Sequence, residues 1–135
     1  MIEAMPAAVR NRLLTIRALI LDTAARTDGV GQIEEALRWN EPAYLTSETG
    51  SGSTVRINAR GSDGRIAAIY FNCNTDLVES FRRLYPDSFA FEANRAVVLA
   101  ADAPIPRAEL AHCLSLALTY HARRKPKRGR PRKAG

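Results

Sequence analysis

Charge is distributed unevenly along this chain, and the imbalance predicts that the part that folds is the first 121 residues. The last fourteen residues, 122–135, contain all the lysines and eight of the 20 Lys and Arg side chains, whereas all 14 Asp and Glu residues come earlier. Residues 1–121 carry a net charge of −2 and the last fourteen carry +8. A strongly basic segment without apolar patterning cannot bury a core. We therefore predict one domain over 1–121 and a disordered basic tail over 122–135.

The size and composition of residues 1–121 fit one ordinary domain. About 120 residues are enough to bury a core, and 46% of the chain is hydrophobic. No apolar run reaches the roughly 18 residues that cross a membrane, and the first residues lack the pattern of a secretory signal. We expect a cytoplasmic protein without membrane contact, in which Cys73 and Cys113 are reduced thiols. The sequence leaves the oligomeric state open.

Apolar spacing and turn signals predict the element order ααβββαββα. A long helix follows Pro6, and Val30, Ile33 and Leu37 indicate a short second helix. Strands are expected at 44–46, 54–59, 65–73, 89–91 and 95–100, with a third helix capped by Asn74 or Thr75 and a last helix after Pro104 and Pro106. Helices grouped around an antiparallel meander place the fold in the α+β class.

The turn signal Gly61-Ser62-Asp63-Gly64 predicts a hairpin and suggests which side chains share a face. We expect an apolar face toward the helices, made of Val55, Ile57, Ala59, Ile66, Ala68 and Tyr70. The opposite face would carry Arg56, Asn58, Arg60, Ala67, Ile69 and Phe71. That second face is either half-solvated or a binding surface.

An aromatic cluster lies where the second helix is expected to end. Trp39, Pro42 and Tyr44 form either the wall of a pocket or a hydrophobic plug over the sheet edge. With Arg56 and Asn72 they make the candidate surface for a ligand or partner. Arg56 is the expected anion contact, because a guanidinium presents a fork of donors to carboxylate or phosphate.

The tail resembles the AT-hook motif, whose core is Gly-Arg-Pro flanked by basic residues. The matching residues are Lys127, Arg128, Gly129, Arg130, Pro131, Arg132 and Lys133. Glycine lets the backbone approach the floor of a narrow minor groove, and A·T tracts attract inserted arginines. We expect contact with nucleic acid through the tail, most specifically the DNA minor groove. The alternative is a basic tail that only solubilises or binds polyanions.

No catalytic or metal site is predicted. His112, Cys113 and His121 do not share the spacing of metal ligands on a helix, and Cys113 and His121 are expected on its apolar stripe. No cofactor motif is present, and no acid–base pair can be named. An enzyme that uses the aromatic pocket, with His112 or Cys73 as the reactive group, stays an alternative.

The core resembles the YdhG-like family, a bacterial domain of unknown function (number 1801), over roughly residues 6–124. The stretches that carry the resemblance are 33–44, 52–57, 70–77, 91–96 and 117–121, of which the block containing Trp39, Pro42 and Tyr44 is the most specific. The family pattern has glycine where this chain has Asn40, a residue that tolerates a left-handed backbone. The resemblance implies a small frataxin-like α+β fold and, since some relatives are described as intracellular iron chaperones, an alternative role in handling iron or another metal.

These observations predict a non-enzymatic, cytoplasmic α+β protein whose basic tail contacts DNA. The two alternatives are an iron or metal chaperone and a small-molecule-binding domain or undetected enzyme that uses the Trp39/Tyr44 pocket.

Overall fold

The computed structural model describes residue 2, residues 5–61 and residues 64–124. Its helices are α1 (Ala7–Arg26), α2 (Leu77–Leu84), α3 (Arg107–Leu118) and α4 (Tyr120–Arg124). Its strands are β1 (Glu34–Arg38), β2 (Glu41–Leu45), β3 (Val55–Arg60), β4 (Ile66–Tyr70), β5 (Ala90–Glu92) and β6 (Ala96–Ala100). The strands form one antiparallel sheet in the order β1-β2-β3-β4-β6-β5, which confirms the α+β class.

One predicted element is of the wrong type. The segment containing Ile33 and Leu37 does not form a helix; residues Glu34–Arg38 are an edge strand that pairs, among the described strands, with β2 alone. Its side chains are mostly exposed, Leu37 included, so it carries no alternation of buried and exposed positions. Pairing with β2 decides the conformation here, because tertiary context overrides a short helical spacing.

The predicted grouping of hairpin side chains is also wrong, by one residue. Arg60 pairs with Ile66 and Ile57 with Ile69, so five residues connect β3 to β4. A shift of one residue moves every side chain of a strand to the other face. Ala67, Ile69 and Phe71 therefore join the core, while Ile66, Ala68 and Tyr70 share a face with Arg56, Asn58 and Arg60. Ser62 and Asp63 of the predicted turn lie outside the described residues.

Helices α1, α2 and α3 pack on one face of the sheet, which we call the inner face. The predicted apolar stripe of α1 is confirmed, since Val9, Leu13, Ile16 and Ile20 are fully buried. Phe81 of α2 meets Phe71 edge to face, with ring centroids 5.0 Å apart. The stripe of the last helix is confirmed from Leu110 to Leu118. His121 is exposed, contrary to expectation, because α3 ends at Leu118 and α4 begins a new turn.

The opposite or outer face of the sheet has a small cluster of its own. Ala68, Tyr70 and Ala96 are buried there with Val98 packed against them, and no residue of a described helix belongs to this cluster. Small side chains at the centre leave room for long ones to lie across the strands. This face, rather than the helical layer, holds the candidate site.

The C-terminal end of the described chain returns to the sheet. Ser53 N–H donates to the Ala117 carbonyl at 2.9 Å and Ala122 N–H donates to the Ser51 carbonyl at 2.9 Å. Ser51 Oγ donates to the Leu118 carbonyl at 2.7 Å. Residues 122–124, which the sequence places in the basic tail, thus belong to helix α4. This return places Ala122 beside the loop that follows β2.

Candidate ligand-binding groove

Trp39 stands at the tip of the β1–β2 hairpin in an unfavourable backbone conformation. Arg38 pairs with Glu41, so Trp39 and Asn40 are the two residues of a tight turn. Both have positive φ, 50° at Trp39 and 64° at Asn40, as a turn of type I′ requires. Asparagine tolerates this region, whereas a bulky residue there is a genuine outlier. The indole is 82% exposed, so no burial offsets the strain.

Arg56 lies between two aromatic rings on the outer face. Its Cζ is 5.0 Å from the centroid of Trp39 and 5.3 Å from that of Tyr70, the residue directly opposite it on β4. Glu41 fixes the guanidinium, since Arg56 Nη1 donates to Glu41 Oε1 at 2.6 Å. Asn58 Nδ2 donates to the other carboxylate oxygen at 2.9 Å. Arg56 is thus held in place by one ion pair and two cation–π contacts.

A second arginine continues this row. Arg95 Cζ lies 5.5 Å from the Tyr70 centroid, which gives the alternating series Trp39, Arg56, Tyr70 and Arg95 across the sheet. We call these four residues the cation–π ladder. Neither Arg95 nor Arg38, beside Trp39, forms an ion pair with any described residue. Two guanidinium charges at this site therefore stay uncompensated within the described chain.

The loop after β4 forms the polar side of the site. Asn74 N–H donates to Asn72 Oδ1 at 2.8 Å, and Thr75 Oγ1 donates to the Asn72 carbonyl at 2.6 Å. Asn94 Nδ2 donates to the Cys73 carbonyl at 3.0 Å, which ties the loop to the β5–β6 connection. These bonds hold the loop in one shape. The helix cap predicted at Asn74 or Thr75 falls instead at Asp76, and Thr75 Oγ1 accepts a long bond of 3.3 Å from Leu77 N–H.

A groove of about 530 Å³ lies between the loop and three members of the ladder, Trp39, Arg56 and Arg95. Its lining residues are Arg38, Trp39, Thr54, Arg56, Phe71, Asn72, Cys73, Asn74 and Arg95. Three guanidinium groups line the groove, and the carboxylate of Glu41 pairs with one of them, that of Arg56. The groove together with Glu41 therefore carries a net charge of +2. The volume falls in the range of small-ligand sites.

Three of the five predicted surface residues meet in the groove, and two do not. Trp39, Arg56 and Asn72 line it. Tyr44 pairs with Val55, faces the helices and is fully buried, and Pro42 lies on the same side of β2 and is also buried. Burial and, second, the charge of Glu35 raise the pKa of Tyr44. The predicted Trp39/Tyr44 pocket is therefore split between the two faces of the sheet.

Sequence reasoning misses Arg38, Tyr70 and Arg95. The predicted register puts Tyr70 on the core side, one residue out of place. The predicted second helix includes Arg38, although a Trp-Asn pair between two short extended segments is compatible with a hairpin turn. Arg95 precedes a strand in a turn, where the sequence carries no signal that it lies over Tyr70.

The two cysteines and His112 lie in different environments. Cys73 is exposed and lines the groove, whereas Cys113 is buried and burial raises its pKa to about 12, with Glu109 contributing less. His112 Nδ1 lies 2.6 Å from the hydroxyl of Tyr85 on the helical side and does not line the groove. Among the described residues, no three His, Cys, Asp or Glu side chains are grouped to hold a metal ion.

The predicted nucleic-acid contacts, Lys127, Arg128, Gly129, Arg130, Pro131, Arg132 and Lys133, lie outside the described residues. Within the described ranges, no helix combines the length and the apolar character needed to cross a bilayer.

No protein-family model, no curated protein and no solved structure matches this chain. The resemblance to the YdhG-like family therefore stays a prediction, and the groove has to be interpreted from its own chemistry.

Proposed function

We propose that this protein is a non-enzymatic domain that binds an anionic ligand in the groove of the outer face. The observation that carries the proposal is the cation–π ladder, which holds Arg56 in place. Arg95 at its end and Arg38 beside Trp39 have no ion pair within the described chain. Guanidinium groups match the oxygen geometry of carboxylate and phosphate. Because Arg56 is already immobilised by Glu41 and two rings, little side-chain entropy is lost when it contacts a ligand.

Binding without chemistry fits the lining better than catalysis does. The described residues that line the groove include one thiol, Cys73, and no histidine or carboxylate. A general acid or base must lie within hydrogen-bond reach of the reacting group. Amide and hydroxyl groups from Asn72, Asn74 and Thr54 instead supply donors and acceptors for recognition.

The only tryptophan of the chain, Trp39, lies in the groove and reports on it directly. We expect inorganic pyrophosphate to change Trp39 fluorescence in a saturable way at low salt. The double substitution Arg38→Ala and Arg95→Ala should weaken this response by about tenfold or more, since each lost charged contact costs about 1 kcal/mol or more. Arg107→Ala, at the start of α3 and away from the groove, is the matched control. A pyrophosphate response that both variants share equally would contradict the proposal.

A second function, contact between the tail and DNA, is favoured by the charge split of +8 against −2. We propose that Arg128 and Arg130 insert into the minor groove of A·T-rich duplexes, with the other basic residues on phosphates. Substitution of both arginines by alanine in the full chain should remove any preference for A·T-rich over G·C-rich duplexes across a salt series. Equal binding of both duplexes by the unmodified protein would show that the tail only binds polyanions.

A further inference from the structure

We propose that the anionic ligand of the groove is a single-stranded nucleic acid, one base of which stacks on Trp39. This inference rests on the proposed function of the groove and specifies its ligand. Its residues belong to the folded domain and not to the AT-hook-like tail, so it is separate from the proposed contact between the tail and DNA. Three features of the structure support it.

The first feature is the strained backbone and the exposed ring of Trp39. A large aromatic residue at φ 50° is strained, and such strain persists at sites where function requires it. The ring is 82% exposed, and the contact with Arg56 involves only one of its sides. Much of a flat apolar surface is therefore open to solvent. Unpaired bases stack on such rings, and a base of any identity can do so because every base has a π-face.

The second feature is the arrangement of polar groups around the ring. Arg38 is the neighbour of Trp39, and Arg95 stands at the far end of the ladder, so uncompensated charges lie on either side of Arg56. This arrangement suits phosphates that flank a bound base. Asn72, Asn74 and Thr54 line the same groove and can bond to the edge of the base. A duplex keeps its bases stacked inside and cannot satisfy both sets of groups, whereas an unpaired strand can.

The third feature is the path that leads away from the groove. Arg124 of α4 lies 3.6 Å from Asp76, two residues beyond Asn74 in the loop that edges the groove. Arg123 and Arg124 are both exposed, and Thr54 follows Ser53, which is bonded to α3. The end of α4 therefore lies beside the loop that edges the groove, and it adds one cation without an ion pair in the described chain, Arg123, because Asp76 compensates Arg124. A strand of several nucleotides can extend from the groove toward Arg123, whereas a mononucleotide would fill the groove alone.

The test uses the full-length protein and measures affinity for a labelled oligothymidylate of about 12 nucleotides, within the usual range of single-strand sites. We expect Trp39→Asn to weaken this affinity by about fivefold or more, the size of one lost base stack. Its affinity for a duplex of equal length should stay unchanged, since the tail is intact. Asparagine accepts the left-handed turn, so the melting temperature should not fall. Trp39→Phe should restore most of the lost affinity.

Two further probes separate the stacked base from simple charge attraction. An abasic strand of the same length should bind the unmodified protein about as weakly as the oligothymidylate binds the Trp39→Asn variant. Arg38→Ala with Arg95→Ala should reduce the slope of log affinity against log salt by about 1.4, because each single-strand phosphate contributes about 0.7. Arg107→Ala should leave the affinity of the oligothymidylate unchanged.

The outcomes distinguish the two proposals. Equal affinity for the abasic strand and the oligothymidylate, combined with a groove-dependent pyrophosphate response, would overturn the single-strand inference and leave anion binding in place. If substitutions in the groove change the binding of neither pyrophosphate nor the oligothymidylate, both proposals are overturned. Equal weakening of duplex and single-strand binding by Trp39→Asn would also overturn the inference, because a stack with an unpaired base affects only the single strand.

Discussion

At the scale of the residue, Trp39 combines backbone strain with almost complete exposure. Most large aromatics contribute to stability through burial, but Trp39 contributes little of this kind. Among the described residues its one cation–π partner is Arg56, whose Cζ lies 5.0 Å from the ring centroid. Stability and binding can therefore be separated at this position, which is uncommon for a tryptophan.

We expect Trp39→Asn to leave the free energy of unfolding unchanged or to raise it by up to about 1 kcal/mol, because asparagine relieves the strained turn and an exposed cation–π contact is worth about 0.5–1 kcal/mol. Urea unfolding followed by circular dichroism measures this. Tyr44→Ala, in the core, is the contrast and should cost about 3–5 kcal/mol. A loss of similar size at Trp39 would mean that the ring supports the fold.

Thiol reactivity gives an independent view of the groove. Cys73 is exposed at the groove, whereas Cys113 is buried with its pKa raised to about 12. Because the thiolate is the reactive form, we expect one thiol per chain to react with a disulfide reagent in the native protein and two in denaturant. Oligothymidylate should slow the reaction of Cys73. Two rapidly reacting thiols in the native state would contradict the buried position of Cys113.

At the scale of the element, β1 and the loop after β2 are held in place by contacts with helices α1 and α3. Arg17 of α1 forms an ion pair with Glu35 of β1, in which Arg17 Nε and Nη2 donate to the carboxylate at 2.6 and 2.7 Å. Gly52 packs against the backbone of Leu118 at the end of α3. Both contacts join the sheet to the helical layer.

The Arg17–Glu35 pair predicts a pH dependence of stability. The hydrogen bond from Arg17 is the main cause that lowers the pKa of Glu35 below its ordinary value of 4.5. A lowered pKa in the folded state contributes stability that is full above 4.5 and is lost as the pH falls through the lowered value. We expect Glu35→Gln to destabilise the protein at about pH 7 and much less at about pH 3, in urea titrations at both values. Glu79→Gln, from an exposed pair with Arg83, is the control and should show no such difference.

Gly52 should not tolerate a side chain. A Cβ there would clash with the backbone carbonyl of Leu118, which cannot move without disturbing the end of α3. We expect Gly52→Ala to cost about 3 kcal/mol in the free energy of unfolding, the upper range for overpacking. Gly50→Ala is the matched control, because Gly50 has φ 68° and open space where a methyl group would lie. It should cost only about 1–2 kcal/mol through its left-handed backbone. Equal costs would show that backbone conformation, rather than close packing, governs this loop.

At the scale of the whole molecule, the folded domain continues past the point where the charge pattern changes. Ala122 N–H bonds to Ser51, and Arg123 Nη2 donates to the Leu116 carbonyl at 2.7 Å. These contacts place residues 122–124 with the domain, although two of the three are arginines.

Two truncations test this boundary. We expect a chain ending at Arg124 to melt at the temperature of the full chain, since the contacts of α4 are kept. A chain that ends at His121 loses the four hydrogen bonds of Ala122 and Arg123 and the Arg124–Asp76 ion pair, so it should melt several degrees lower. Thermal unfolding by circular dichroism compares them. Equal melting of all three chains would place the boundary at His121.

The features that could be predicted from the sequence are those with a local, repeating signal. The stripe of α1 follows from the spacing of Val9, Leu13, Ile16 and Ile20, and the charge of the tail follows from counting. Strand β1 could not be predicted in this way, because an edge strand with exposed side chains on both faces has no period of two. The ladder is only partly predictable: the sequence groups Arg56 with Trp39, but it offers Tyr44 as their neighbour in place of Tyr70.

The amino-acid sequence by itself determined the α+β class, the buried faces of the long helices and the separation of a basic tail from a nearly neutral domain. Only the tertiary structure decided the register of β3 and β4, and with it the face on which Arg56 meets Tyr70. The reason is physical. The buried face of a helix follows from a spacing that repeats within one segment. The face of the sheet on which a strand places its side chains depends instead on the number of residues in the connection and on the partner strand. A single residue in that connection places Tyr70 on the open face of the sheet beside Arg56.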